Sequence, residues 1–122
     1  MPAKLSVLVV EDEALLLFSV ADELRDEGFD VFEARNADEA LKVMRENPNL
    51  DVMFTDVDMP GSMDGIGLSH AVRTYYPPVQ IIVTSGKTRP LERELPQGAL
   101  FFSKPYSTKS LTTAIQVLKS EP

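Results

Sequence analysis

Residues Met53 to Gly61 read MFTDVDMPG. An apolar run stops at Asp56, and a second acid, Asp58, follows two positions on. A short apolar, β-branched segment ending in a turn predicts a buried strand, Asp51–Thr55, that delivers Asp56 at its carboxyl end. The loop from Asp56 to Met63 carries Pro60 and Gly61, which stop any regular structure.

Outward from this stretch, the chain alternates between the two periods. Leu5–Val10 is a β-branched run of buried-strand type. A helix follows from Asp12 to Gly28, with Ala14, Leu17, Phe18, Ala21 and Leu24 expected on its inner face. Val31–Ala34 is the second strand. Asn36 caps the next helix, with Glu39 three residues later as in a capping box, and that helix ends before Pro48. Asp64 to Tyr76 is helical and is closed by Pro77 and Pro78. Val79–Thr84 and Ala99–Phe102 are the fourth and fifth strands. Ser107 caps a last helix to Lys119, with Leu111, Ala114, Ile115 and Leu118 on one face. Between Thr84 and Ala99, two prolines and two glycines limit the fourth helix to about two turns near Pro90–Leu95.

Five strands alternating with helices predict an α/β fold, (βα)5, with a doubly wound parallel sheet and a short, irregular fourth helix. The 122 residues suit one domain, 1–122, ordered from about 4 to 119. No cysteine is present, which removes thiolate metal sites and thiol nucleophiles. Formal net charge is −7 and the only basic run is Lys87-Thr88-Arg89, so direct nucleic acid binding is not expected. No segment reaches the roughly 20 apolar residues of a membrane span, and the first apolar run is too short for a secretory leader. A cytoplasmic protein is expected.

Ligands of open parallel sheets bind at the carboxyl ends of the strands. Glu11 and Asp12 end the first strand, Asp56 the third and Thr84-Ser85 the fourth; Ser103-Lys104 follows the fifth. Converging carboxylates repel, and a hard divalent cation relieves the repulsion. Mg²⁺ prefers oxygen ligands, often one or two carboxylates plus phosphate. The pattern therefore predicts a Mg²⁺ site beside a phosphoryl site. Asp56 is the candidate nucleophile, with Lys104 and Thr84 contacting the phosphoryl group.

In order and spacing, Glu11-Asp12, Asp56 with its MPG…DG loop, Thr84-Ser85 and Lys104-Pro105 resemble a response-regulator receiver domain over nearly the whole chain. The resemblance implies the flavodoxin-like strand order 2-1-3-4-5. It implies Asp56 as phosphoacceptor and Mg²⁺ held by Glu11 through water, by Asp12, by Asp56 and by the backbone carbonyl of Asp58. It also implies Thr84 and Phe101 as switch residues, Lys104 as phosphoryl contact and a cis Lys104–Pro105 peptide. The implied function is a signalling switch rather than an enzyme: a domain that accepts a phosphoryl group from phosphohistidine of a sensor kinase or phosphotransfer protein, catalyses its own dephosphorylation and passes the state to a downstream protein target. It is either a stand-alone regulator or the receiver part of a longer protein. The loop after Asp58 is one residue longer than the common form. The short fourth helix argues for a monomer or weak dimer over the common symmetric one.

The run Leu15–Phe18 cannot bury every side chain on one helix. Leu15, Leu16 and Ser19 are therefore expected to form a partner-docking patch beside the acids. His70 is read as an ordinary helix residue. Two other readings compete with this one. A haloacid-dehalogenase-like phosphatase shares Asp-x-Asp, but that pattern requires the motif on the first strand, and Pro60 stands where it has Thr or Val. A pseudo-receiver that is never phosphorylated conflicts with the full set of site residues.

Overall fold

The computed structural model describes residues 4–87 and 89–120. The ends of the expected 1–122 domain and Thr88 lie outside them. The elements are β1 (Ser6–Val10), α1 (Ala14–Asp26), β2 (Asp30–Ala34), α2 (Ala37–Glu46), β3 (Val52–Asp56), α3 (Gly65–Tyr75), β4 (Gln80–Ser85), a 3₁₀ turn (Glu92–Glu94), β5 (Leu100–Ser103) and α4 (Thr108–Ser120). All strand pairs are parallel, in the order β2-β1-β3-β4-β5. This is the expected α/β topology, with β3 at the centre and buried along its whole length.

Alternation along each strand divides the core between the two faces. Leu8, Val10, Met53, Ile81 and Val83 point toward α2 and α3. Val7, Val9, Val52, Phe54 and Ile82 meet Leu17, Leu24, Leu111 and Ile115 of α1 and α4. Each fully buried large aliphatic side chain contributes about 1.5–3 kcal/mol relative to exposure. The lower rim is pinned by Asp51, whose carboxylate accepts from Ser6 N (2.9 Å) and pairs with Lys119 of α4 (3.3 Å). No helix among the described residues is long and apolar enough to cross a membrane.

The caps follow the sequence closely. Asn36 accepts from Glu39 N at 2.8 Å, and Glu39 reaches back to Arg35 N at 2.9 Å. Ser107 accepts from Ser110 N at 3.0 Å. Gly28 turns the chain out of α1 with φ +96°, a conformation that side chains resist.

Two elements differ from expectation. Among the described residues between β4 and β5 a single 3₁₀ turn forms, in place of a two-turn helix. Pro90 and Pro96 leave too few donors and too little length to propagate a helix. On α1, the buried stripe is Leu17, Val20, Ala21 and Leu24, while Phe18 is 56% exposed. At about 100° per residue, Phe18 lies about a quarter turn past the centre of that stripe, and Leu16 lies as far on the other side.

Gly65 opens α3 against the end of β3. A Cβ there would lie 2.0 Å from the Asp56 carbonyl oxygen and 2.9 Å from Val57 Cα, both backbone atoms. At Gly67 the nearest neighbour is the Met63 side chain, at 3.2 Å. Gly65→Ala is therefore expected to destabilise by about 1–3 kcal/mol in denaturant unfolding, and Gly67→Ala by clearly less. Equal stabilities would show that α3 does not seat rigidly on Asp56.

Candidate functional site

The sheet brings the strand-end residues together at one rim. Asp56 is the last residue of β3 and stands in register with Thr84 of β4. Glu11 continues β1 through its N–H to Ala34 O (3.0 Å), and Asp12 follows it. Carboxylate oxygens of Glu11, Asp12 and Asp56 lie within 4.8 Å of one another. Glu11 and Asp56 are 6% and 5% exposed, and Asp12 is half-buried. The N-cap of α1 is Glu13, which makes no side-chain cap bond.

Lys104, following β5, reaches across the rim. Its Nζ lies 3.0 Å from Asp56 Oδ2 and 3.3 Å from Glu11 Oε1. Glu11 Oε2 accepts from Glu13 N (3.1 Å), and Asp56 Oδ1 accepts from Asp58 N (3.3 Å). Burial, then the Asp56 charge, pushes the Glu11 pKa upward, more than the Glu13 N–H and Lys104 hold it down. Burial alone would lower the Lys104 pKa; the hydrogen bond and charge of Asp56, then Glu11, outweigh it and raise it. Three carboxylates against one ammonium leave an excess of negative charge in an all-oxygen donor set. That chemistry fits a hard divalent cation.

Thr84 and Phe101 lie on the two neighbouring edge-side strands, β4 and β5. The Thr84 hydroxyl donates to Phe102 O at 2.7 Å, so it faces β5 rather than Asp56. Phe101 is half-buried against the α3 side of the core, with the Arg89 guanidinium 5.1 Å from its ring centroid. The Lys104–Pro105 peptide is cis.

The proposed docking residues separate. Leu15 is 79% exposed and points outward with Phe18. Leu16 and Ser19 instead line a cleft of about 720 Å³ between α1 and the turn after β5, which ends at Gly86 and Lys104. Glu23, Tyr106 and Thr108 also line it, and Thr108 donates to Glu23 across it. The patch is therefore continuous with the acidic rim through Leu16 rather than Leu15. His70, an ordinary helix residue in sequence, donates its Nε2–H to Glu94 O at 2.7 Å and ties α3 to the 3₁₀ turn.

Sequence reasoning missed three contributors. Gly65 permits the close seat beneath Asp56; its place in the MPG…DG loop was the available signal. Tyr106 packs edge-on to Phe54 with ring centroids 5.2 Å apart. Its hydroxyl is driven to a higher pKa by burial and then by the charges of Glu11, Asp56 and Glu23. The Asp58 carboxylate, which a sequence reading leaves free, accepts from Ser85 Oγ at 2.8 Å.

The geometry has close counterparts. The sensor kinase CckA of Brucella abortus is 36% identical over 115 residues, covering 91% of this chain and 12% of that protein. A putative NtrX-like response regulator of Rickettsia conorii is 33% identical, over 96% of this chain and 26% of its own length. The chain thus spans about a quarter or less of these two relatives. The crystal structure of a response regulator receiver domain protein from Clostridium thermocellum superposes with a TM-score of 0.84 at 27% identity, covering 93% of this chain and 92% of that one. The family model of the response regulator receiver domain matches residues 7–116. That match runs from β1 into α4 and takes in every strand end described above, so this chain belongs to the response regulator receiver domain family.

Proposed function

We propose that the chain is a phosphorylation-controlled switch whose acceptor is Asp56. One observation carries this reading: Asp56 shares a buried rim with Glu11 and Asp12, and its carboxylate is already bonded to Lys104 at 3.0 Å. Only a group that brings its own negative charge to the rim gives the lysine a better partner.

In this reading the donor is a phosphohistidine on a sensor histidine kinase or a histidine phosphotransfer protein. A carboxylate oxygen of Asp56 forms a bond to phosphorus. The phosphorus–nitrogen bond breaks, and its electron pair returns to the imidazole. When bound, Mg²⁺ held by Glu11, Asp12, Asp56 and the Asp58 carbonyl would neutralise charge on the phosphoryl oxygens. Lys104 exchanges Asp56 Oδ2 for a phosphoryl oxygen. Thr84 turns from Phe102 O toward the same group, and Phe101 on the adjoining strand carries the change to the surface. Positioning and preset charge supply most of the rate. The domain assists its own phosphorylation and later hydrolysis without turning over a free substrate, so it is a switch rather than an enzyme. A cytoplasmic setting, a downstream protein target and a monomer or weak dimer complete the reading. The 3₁₀ turn that stands among the described residues where a fourth helix would be supports the last of these.

With a small acyl phosphate donor and Mg²⁺, intact-mass measurement is expected to show one phosphoryl group on the wild-type chain and none on Asp56→Asn. Chelating Mg²⁺ should lower the labelling rate by more than about tenfold, as expected where a cation offsets phosphoryl charge. Labelling of Asp56→Asn at the wild-type rate would sink the assignment. For docking, Leu15→Lys with Leu16→Lys is expected to slow transfer from a phosphorylated histidine donor by about tenfold, the size of one lost apolar contact set. Unchanged transfer would remove α1 from the interface.

A further inference from the structure

The two outer edges of the sheet are finished differently. Successive residues of a strand turn their N–H and C=O groups to opposite neighbours. Asp30 N–H donates to Leu5 O at 2.9 Å, so Val31, Glu33 and Arg35 direct theirs away from β1. Side chains occupy that edge. The Arg25 guanidinium donates to Val31 O at 3.1 Å and pairs with the Glu33 carboxylate at 2.8 Å, while Glu39 accepts from Arg35 N at 2.9 Å. At the other edge, Lys104 N–H donates to Ser85 O at 3.1 Å, so Leu100 and Phe102 face β4, and Phe101 and Ser103 turn their backbone groups outward. Among the described residues no side chain bonds to those outward groups. An open strand edge is a template for pairing with another chain.

The surroundings of the β5 edge select what pairs with it. Beside α4 lies a cleft of about 590 Å³ walled by Leu100, Ala114, Val117 and Leu118, and among the described residues Lys109 is the only charged one that lines it. On the other face of the strand, the Arg89 guanidinium lies 5.1 Å from the Phe101 ring centroid. Among the described residues neither Lys109 nor Arg89 forms an ion pair. A chain with 19 acids and 12 basic residues thus flanks this edge with cations. A second copy brings the same cations to the edge and a further net charge of −7, so like charges oppose pairing of two β5 edges. We propose that the β5 edge adds one extended strand from a partner protein, a segment that alternates apolar and acidic side chains. The apolar ones enter the cleft beside α4, and the acidic ones meet Arg89; Lys109 adds to the same charge preference. Backbone bonds give such a strand its hold, and the alternate side chains give its selectivity. That the segment belongs to the downstream target rests on the switch reading above; the strand addition itself does not.

The test titrates a short capped peptide of alternating valine and glutamate into the full chain and follows backbone amide hydrogen exchange by NMR. At saturation the Phe101 and Ser103 amides are expected to exchange about tenfold more slowly than in the free chain, with Val31 and Glu33 unchanged. The matching valine–lysine peptide is expected to bind at least about tenfold more weakly. Ser103→Pro deletes one outward donor at an edge position that tolerates proline, and should weaken binding about three- to tenfold, the effect of one hydrogen bond. Lys109→Glu and Arg89→Glu leave the backbone intact and should each weaken it by a similar factor, about three- to tenfold. If Ser103→Pro does not fold, the wild-type exchange pattern reads the same backbone pairing. No binding at millimolar peptide, binding that leaves the Phe101 and Ser103 amides unprotected, or equal binding of the valine–lysine peptide would overturn the inference. Protection of the same amides by rising protein concentration alone would make a second copy the occupant and overturn the acidic segment. A wild-type chain that takes no phosphoryl label overturns the phosphoacceptor reading and leaves the strand addition standing.

Discussion

The rim of this sheet is organised by an electrostatic conflict that Lys104 only partly resolves. Glu11 and Asp56 are both buried, and their charges oppose each other across the ends of β1 and β3. Lys104 bridges them at 3.3 and 3.0 Å. Breaking a buried pair by removing one partner costs far more than the pair contributes, because an uncompensated charge is left behind. One ammonium against three acids keeps the rim negatively charged, with its pull directed at cations.

The fold exists around that rim as a rigid frame. Parallel strands with both faces covered hold their carboxyl ends in a fixed register, so Asp56 stands beside Thr84 regardless of the loops. The same frame places Gly65 against the Asp56 carbonyl, leaving α3 no room to shift. Lys104 arrives from the far edge, one residue after β5 ends. Loops then carry the adjustable parts: Asp58, Ser85's link to it, and the helix-poor stretch after Gly86, where His70 and Arg89 provide the contacts.

That stretch also changes what the molecule presents to others. With a single 3₁₀ turn before β5, Phe101 lies under Arg89 rather than under a helix. A cation over an aromatic face contributes about 0.5–1 kcal/mol at exposed sites, enough to bias a ring and too little to lock it. On the opposite side, α1 splits its surplus apolar residues between an outward pair, Leu15 and Phe18, and Leu16 in the cleft that leads to Lys104.

Much of this was legible in the chain. Period-2 and period-3.6 patterns, the Asn36 and Ser107 caps and the prolines determined five strands, their helices and the weak fourth crossover, because those signals are local. Placing acids, hydroxyls and a lysine at strand ends then predicted that they would share one rim, since parallel strands share one carboxyl edge. Tertiary structure alone decided the rest. Phe18 turns outward because the α1 stripe is set by Leu17, Ala21 and Leu24 against β1 and β2 together, not by hydrophobicity residue by residue. The Thr84 hydroxyl faces Phe102 O, and Ser85 takes the Asp58 carboxylate, because partners 18 and 27 residues away meet only once the sheet closes. A buried hydroxyl bonds to the nearest acceptor that geometry allows, and that acceptor is a property of the packed sheet.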